Sequence, residues 1–135
     1  MNASRNLYAF VAVVFLAACT SMPPSMKAEP MIAKPAGVNV QDGLLTNAAS
    51  YSLYTFDRDT VGKSACVGAC AVNWPPFLAP ANAAATGDFT VITRDDGKMQ
   101  WAYKGKPLYT FANDKVPGEK SGDGFAGGIW HIVKI

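Results

Sequence analysis

The feature that most constrains the fold is an internal duplication, with residues 38–80 and residues 89–135 carrying the same landmarks in the same order. Four pairs of landmarks define it: Asp42-Gly43 with Asp96-Gly97, Leu53-Tyr54-Thr55-Phe56 with Leu108-Tyr109-Thr110-Phe111, Asp59 with Asp114, and Trp74 with Trp130. The step from the aspartate to the tryptophan is 15 residues in the first copy and 16 in the second. A repeat of this kind is normally one supersecondary unit used twice, so we expect one domain with pseudo-two-fold symmetry.

Each copy has the pattern of short β-strands. Val38–Val40 precedes an Asp-Gly turn, and Phe89–Val91 and Met99–Tyr103 flank a second one, which predicts a hairpin in each copy. The Leu-Tyr-Thr-Phe segments and Ile129–Ile135 also look extended, whereas Ser64–Val72 has room for one helical turn. The sequence therefore predicts a single all-β domain of about six to eight short antiparallel strands, arranged as a sandwich or a barrel-like fold.

The first residues have the three zones of an export signal. A polar start with Arg5 precedes the apolar run Leu7–Leu16, and small residues then precede Cys19. The run is shorter than the roughly 20 residues of a membrane-spanning helix. Leu16-Ala17-Ala18-Cys19 resembles a lipobox, which implies cleavage of residues 1–18 and lipidation of Cys19. We therefore expect a lipid-anchored envelope protein, and Thr20 after the cysteine favours the outer membrane.

Residues 19–37 separate the anchor from the predicted domain at 38–135. They contain four prolines and no aromatic residue, so we expect a flexible tether. Met22, Met26 and Met31 could bind Cu(I) through their thioethers, or could simply be chance residues of a tether. Removing Arg5 with the signal leaves 11 Lys and Arg against 10 Asp and Glu, spread along the chain. This near balance argues against a nucleic-acid partner.

The duplicated Y-x-F-x-x-D pattern and the single C-x-x-x-C-x-x-x-W-P-P pattern carry a family resemblance. The chain resembles bacterial predicted lipoproteins with a conserved Y-x-(F/W/Y)-x-x-D motif, also described as a secreted repeat of unknown function. The motif residues are Tyr54, Phe56 and Asp59 in the first copy, and Tyr109, Phe111 and Asp114 in the second. The resemblance implies an exported lipoprotein whose biochemical role is not established.

The motif side chains have two interpretations. Alternation along a strand places Tyr54 and Phe56 on one face, where they can be core residues or a surface for a sugar, a haem or a polyprenyl ligand. We expect core residues, because a duplicated fold must duplicate its core. Asp59 and Asp114 follow strands, where aspartate usually accepts hydrogen bonds from its own turn. The alternative is a catalytic pair related by the pseudo-symmetry.

Two cysteines remain once Cys19 is assigned to lipid. Cys66 and Cys70 form an even pair in an exported chain, which predicts a disulfide. A redox-active pair is the alternative, although thiol oxidoreductases use C-x-x-C rather than C-x-x-x-C. The second copy has Gly122–Gly128 in the same place, so the bridge is expected to be a local brace.

The remaining polar residues give weaker signals. Asp114, Glu119 and Asp123 could hold a cation or serve turns, and His131 has no partner that the sequence reveals. We expect no cofactor and no enzymatic activity. The predicted role is a binding or structural module that contacts the membrane through its anchor and an envelope protein or the cell wall. The alternative is a periplasmic redox or cofactor protein that binds haem or copper.

Overall fold

The computed structural model describes residues 31–135. The predicted export signal, the predicted lipidation site at Cys19, and Met22 and Met26 lie outside the described residues. The elements are β1 (Val38–Gln41), β2 (Leu44–Asn47), β3 (Tyr54–Phe56), α1 (Ala69–Asn73), β4 (Phe89–Thr93), β5 (Met99–Tyr103), β6 (Lys106–Pro107), α2 (Phe125–Gly128) and β7 (Trp130–Ile132). These bounds confirm the predicted all-β class.

The strands form three small antiparallel sheets. The first repeat contributes the β1–β2 hairpin, and the second contributes the equivalent β4–β5 hairpin with β6 added at its edge. The third sheet joins β3 of the first repeat to β7 of the second. Within residues 31–135, isolated antiparallel bridges between Leu44 and Lys134 and between Tyr54 and Tyr109 link the sheets, and the strands do not form a closed barrel.

The helical content corrects one expectation. A single turn was expected within Ser64–Val72, and α1 begins at the end of that stretch. The second repeat has a short turn, α2, in the equivalent place, which the sequence did not predict because its glycines read as loop residues. Ala126 and Gly127 have positive φ inside α2, so this turn is irregular.

Adjacent residues of the Leu-Tyr-Thr-Phe segments pack into different clusters. Leu53 and Leu108 belong to a first cluster, and Tyr54 and Tyr109 belong to a second one. The first cluster also contains Val38, Val40, Leu45, Phe89, Trp101, Tyr103 and Val133. The second also contains Cys66, Trp74, Phe111, Trp130 and Ile132. Because neighbouring side chains of an extended chain point to opposite faces, both faces of these segments are covered.

Residues just before the predicted domain start at Val38 contact the domain. Ile32, within the expected tether, packs against the first cluster. The amide of Val38 donates to the carbonyl of Pro35 at 3.2 Å, and Lys34 Nζ donates to the carbonyl of Val38 at 2.8 Å. The last residues of the expected tether therefore lie against the domain. Among residues 31–135, no helix has the length and apolar character needed to cross a membrane.

Candidate functional site

The two repeats meet at Tyr54 and Tyr109. The amide of Tyr54 donates to the carbonyl of Tyr109 at 2.8 Å, and the amide of Tyr109 donates to the carbonyl of Tyr54 at 2.9 Å. Both side chains are completely buried. The motif segments therefore lie side by side, antiparallel, at the centre of the pseudo-symmetric domain.

Each motif tyrosine binds the motif aspartate of the other repeat. The hydroxyl of Tyr54 donates to Asp114 Oδ2 at 2.7 Å, and the hydroxyl of Tyr109 donates to Asp59 Oδ2 at 2.7 Å. We call these four residues the Tyr–Asp clasp. Charge-assisted hydrogen bonds of this kind are roughly twice as strong as neutral ones. The clasp therefore ties the first repeat to the second at two equivalent points.

The second carboxylate oxygen of each aspartate has the turn role that the sequence predicted. Asp59 Oδ1 accepts from the amide of Ala65 at 2.6 Å, and Asp114 Oδ1 accepts from the amide of Ser121 at 3.0 Å. Each aspartate thus fixes its own loop and binds the opposite repeat. The first function follows from local sequence, whereas the second depends on how the repeats pack.

Four aromatic rings of the two repeats stack in alternation beside the clasp. Phe56 stacks on Trp130 at a centroid distance of 4.2 Å, Trp130 on Trp74 at 3.7 Å, and Trp74 on Phe111 at 4.1 Å. We call this series the aromatic stack. The two tryptophans and Phe111 are buried, and Phe56 is half-buried. The motif aromatics therefore lie in the core, as expected, and they bury large apolar areas between the repeats.

The tyrosines also touch the stack through their ring edges. Tyr54 meets Trp74 edge-on at 5.5 Å, and Tyr109 meets Trp130 edge-on at 5.2 Å. Edge-to-face contacts place the positive rim of one ring against the negative face of another. The same geometry therefore occurs on both sides of the pseudo-two-fold axis.

Burial keeps the clasp tyrosines protonated. It raises the pKa of Tyr109 to about 12, with the Asp59 carboxylate acting in the same direction and the Ser64 hydroxyl opposing. Burial also raises the pKa of Tyr54 far above its ordinary value, and Asp114 adds to that effect. Both hydroxyls are therefore donors at neutral pH.

Asp59 experiences competing effects. Burial raises the pKa of its carboxyl group above the ordinary value, while hydrogen bonds from the Ala65 amide and the Tyr109 hydroxyl, and the charge of Arg94, lower it. The direction of the shift shows that desolvation outweighs these partners. A raised aspartate pKa is one mark of a functional site, but it is also common in structural hydrogen-bond networks.

A buried arginine extends the clasp on the Tyr109 side. Ser64 Oγ lies 2.6 Å from the Tyr109 hydroxyl, and Arg94 Nη1 donates to Ser64 Oγ at 2.8 Å. Arg94 also donates to Gln100 Oε1 at 2.8 Å and to the carbonyl of Cys66 at 2.7 Å. Its side chain is almost fully buried. Sequence reasoning missed this network because an arginine directly before an Asp-Asp-Gly turn has the pattern of a solvent-exposed residue.

The structure contains the predicted Cys66–Cys70 disulfide, with the Cα atoms 5.2 Å apart. Cys66 is fully buried and its carbonyl accepts from Arg94, which joins the bridged loop to the β4–β5 hairpin. The disulfide joins the loop that leads into α1 to Cys70, the second residue of that helix. It is therefore a short local closure, attached to the clasp through Arg94 and Ser64.

The acidic side chains in the loop of the second repeat accept hydrogen bonds from backbone amides of the same repeat. Asp114 accepts from the Ser121 amide, Glu119 Oε2 accepts from the amides of Lys115 and Val116, and Asp123 Oδ1 accepts from the Ile132 amide at 2.9 Å. No group of three or more His, Cys, Asp or Glu with metal-binding geometry occurs within the described part of the chain. This arrangement matches the turn interpretation.

His131 has a partner that the sequence did not reveal. Its Nε2 lies 2.8 Å from Asp57 Oδ2, and both side chains are about half exposed. His131 is opposite Thr55 in the β3–β7 register. Asp57 follows Thr55 by two residues, just after the end of β3, and so lies on the same face of the chain. This surface pair is separate from the clasp, because it lies on the solvent side of the sheet.

A family model described as a secreted repeat of unknown function matches residues 37–77 and 90–134, more than half of the chain. The two matched segments are the two copies of the internal duplication. Neither the curated proteins nor the solved structures include a match to this chain. The match to both repeats shows that the chain belongs to the family of secreted repeats of unknown function.

Proposed function

We propose that this chain is a lipid-anchored, non-enzymatic module of the cell envelope, in which the family motif holds two repeats together as one rigid domain. The observation that carries the proposal is the Tyr–Asp clasp. All four of its polar side chains are engaged with the other repeat, and both tyrosines are completely buried. Such an arrangement suits a structural role better than contact with a substrate.

The energetic argument supports the same role. Removing one partner from a buried hydrogen bond typically costs about 1 to 3 kcal/mol, because the remaining group stays desolvated. The two clasp bonds and the aromatic stack all cross from one repeat to the other, so their contribution is lost if the repeats separate. The motif thus gives the domain the rigidity that a binding surface or a spacer needs.

The location rests on the first residues and on the family. Residues 1–18 have the zones of an export signal, and Cys19 follows small residues as in a lipobox. Membership of a secreted family agrees with export. Lipid chains at Cys19 would anchor the module firmly, since each buried methylene adds about 0.8 kcal/mol to membrane affinity.

Mass spectrometry of the membrane fraction from the chain's own host tests the anchor. The expected N-terminal peptide begins at Cys19 and carries a diacylglycerol on the thiol. A Cys19→Ser variant is the matched control and should leave the membrane fraction. Recovery of an unmodified Cys19 peptide from membranes would overturn the lipid anchor.

Native mass spectrometry of the same protein tests the non-enzymatic module. The expected mass is identical under native and denaturing conditions, apart from the charge distribution. Additional mass seen only under native conditions would overturn the proposal in favour of a cofactor protein. So would reproducible turnover of a hydrolase or oxidoreductase substrate that Asp59→Asn abolishes while the unfolding midpoint stays close to that of the parent chain.

A further inference from the structure

An open groove of about 290 Å³ lies between β7 and the turn that joins β5 to β6. Its lining includes Thr55, Tyr103, Lys104, Lys106, His131 and Lys134. Three lysines therefore surround one concavity in a domain whose total charge is nearly balanced. Asp57 binds His131 at its margin and offsets part of this charge.

The chain geometry fixes two of these lysines at a tight turn. Lys104 has a φ of 49°, and Lys104 and Lys106 flank Gly105, whose φ is 80°. Lys104 Nζ lies 5.1 Å from the centroid of the Tyr103 ring, which supports the lysine stem while the ammonium group stays near solvent. The turn thus presents two positive charges close together.

An exposed apolar tip lies directly beside this turn. The amide of Gly62 donates to the carbonyl of Gly105 at 3.1 Å, and an added Cβ on Gly105 would lie 3.0 Å from Val61 Cγ1. The side chain of Val61 is nevertheless 87% exposed. An apolar residue next to a group of lysines is the pattern of an interfacial surface that meets lipid headgroups.

The first described residues contact the segment that leads to this turn. Gly87 packs so closely on Ala33 that an added Cβ would lie 2.6 Å from the Ala33 carbonyl oxygen. The next residue, Asp88, accepts at its carbonyl from the amide of Lys104 at 2.9 Å. Ala33 therefore contacts Gly87, and the residue after Gly87 is hydrogen-bonded to Lys104 in the basic turn.

The distance to the anchor is limited by the chain length. Residues 20–30 separate Cys19 from the first described residue, so even a fully extended chain spans only about 40 Å. A lipid at Cys19 therefore keeps the point of entry at Ala33 within reach of a membrane surface. The domain as a whole therefore stays near the headgroups.

We propose that the lysine groove and the Val61 tip form a membrane-docking face that binds the phosphates of anionic phospholipid headgroups. The three ammonium groups and the Thr55 hydroxyl supply positive charge and hydrogen-bond donors for phosphate oxygens. The proposal deepens the proposed function and rests on its lipid anchor, since the anchor brings this face to the bilayer. It gives the anchored domain a fixed orientation, with the opposite side directed away from the membrane.

The test separates headgroup binding from the anchor by using the full mature chain with Cys19→Ser. Sedimentation with phosphatidylglycerol–phosphatidylcholine vesicles and with pure phosphatidylcholine vesicles measures the binding. The altered chain carries Lys104→Gln, Lys106→Gln and Lys134→Gln, which remove charge and preserve side-chain length. The matched control carries Lys98→Gln, Lys115→Gln and Lys120→Gln, which make the same change in net charge away from the groove.

We expect salt-sensitive binding to the anionic vesicles and weak binding to the neutral ones. Each lysine near an anionic surface contributes about a fivefold increase in affinity, so the groove variant, which lacks three, should lose roughly a hundredfold and the control variant far less. Equal losses in the two variants, or no binding to anionic vesicles, would overturn the proposal. Binding of inorganic phosphate at the groove without any binding to anionic vesicles would instead assign the groove to a soluble ligand and would also overturn the proposal.

A second measurement reports on the Val61 tip. Trp74, Trp101 and Trp130 are all buried, so a Val61→Trp substitution places the exposed indole at the tip. Its fluorescence should shift to the blue with anionic vesicles and not with neutral ones. An unchanged spectrum would contradict contact of this face with the membrane. Because Cys19 is absent from these chains, a failed anchor and a failed docking face give different results.

Discussion

The two repeats share one central geometry and stabilise their loops in different ways. Cys66 lies eight residues before Trp74, and Gly122 lies eight residues before Trp130. The loop of the first repeat is closed by the disulfide, whereas the loop of the second packs its glycine against aromatic rings. A Cβ on Gly122 would lie 2.7 Å from the Trp74 ring and 3.0 Å from the Tyr54 ring. Equivalent positions therefore use a covalent bond in one repeat and close packing in the other.

The surroundings of the two clasp hydroxyls differ in the same way. The Tyr109 hydroxyl lies 2.6 Å from Ser64 Oγ, which receives a hydrogen bond from the buried Arg94. The Tyr54 hydroxyl accepts a long bond, 3.4 Å, from the Gly122 amide. The two repeats therefore have the same contacts where they touch each other, and different contacts in the loops that surround the clasp. Contacts between repeats constrain both copies together, whereas each outer loop packs against its own neighbours.

The largest expected effect is at Gly122. Gly122→Ala should lower the free energy of unfolding by about 3 kcal/mol, because a methyl group would overlap the Trp74 and Tyr54 rings. Urea denaturation measures the loss. Gly118→Ala is the matched control, since it has open space around it and only a positive φ to oppose the change. Equal losses at the two glycines would show that close packing does not brace the second repeat.

Alkaline pH should weaken both halves of the clasp. The folded pKa of each clasp tyrosine lies above its ordinary value of 10.0, so the folded state keeps a proton that the unfolded chain loses. Their contribution to stability is complete below pH 10 and is lost as the pH rises through the folded values, which for Tyr109 is about 12. By pH 11 the two tyrosines together are expected to lower the free energy of unfolding by about 2 to 3 kcal/mol.

Denaturant titrations at several pH values measure this dependence. Tyr109→Phe removes one ionisable group and should reduce the slope of stability against pH by about half. Tyr51→Phe is the control, because Tyr51 lies outside the clasp and its hydroxyl donates to the Lys115 carbonyl near the surface. An unchanged slope in Tyr109→Phe would contradict the role of clasp protonation.

Removing the disulfide should destabilise the first repeat. Cys66→Ser with Cys70→Ser is expected to cost about 2 kcal/mol, since a short closed loop restricts the unfolded chain only modestly. Calorimetry of the double variant measures this cost. Transferring the bridge with Gly122→Cys and Ala126→Cys should destabilise the domain, because the new side chain at 122 meets the rings. A stabilised transfer variant would show that the two loops are interchangeable.

The smallest expected effect is the coupling energy that defines the clasp. A double-mutant cycle with Tyr54→Phe and Asp114→Asn should give about 1 kcal/mol, because the two side chains share one hydrogen bond. The cycle with Tyr54→Phe and Asp59→Asn should be nearly additive. A larger coupling energy between Tyr54 and Asp59 than between Tyr54 and Asp114 would contradict the pairing of each tyrosine with the aspartate of the other repeat.

Local patterns predicted much of this domain correctly. Asp42-Gly43 and Asp95–Gly97 indicated the two hairpins, since Asp-Gly sequences favour the left-handed conformations of tight turns. The spacing of Cys66 and Cys70 indicated a local bridge. The glycine-rich α2 was missed, because helical propensity alone argues against a turn that neighbouring segments hold in place.

The Tyr–Asp clasp could be predicted only in part. The aspartates were expected to accept hydrogen bonds from their turns, and Ala65 and Ser121 donate to them. Their pairing with the opposite tyrosines could not be read from either copy, because each copy carries both a tyrosine and an aspartate. Arg94 was missed for a related reason, since its burial depends on a loop from the first repeat.

The sequence alone determined the duplication, the short strands, the disulfide position and the family membership, since these follow from periodicity, turn chemistry and residue spacing. Only the tertiary structure decided that the motif residues pair across the repeats, that the aromatic rings alternate in one stack, and that three lysines line one groove. These features bring together residues that lie tens of positions apart. Their formation depends on packing two similar units around a common axis, which no local segment encodes.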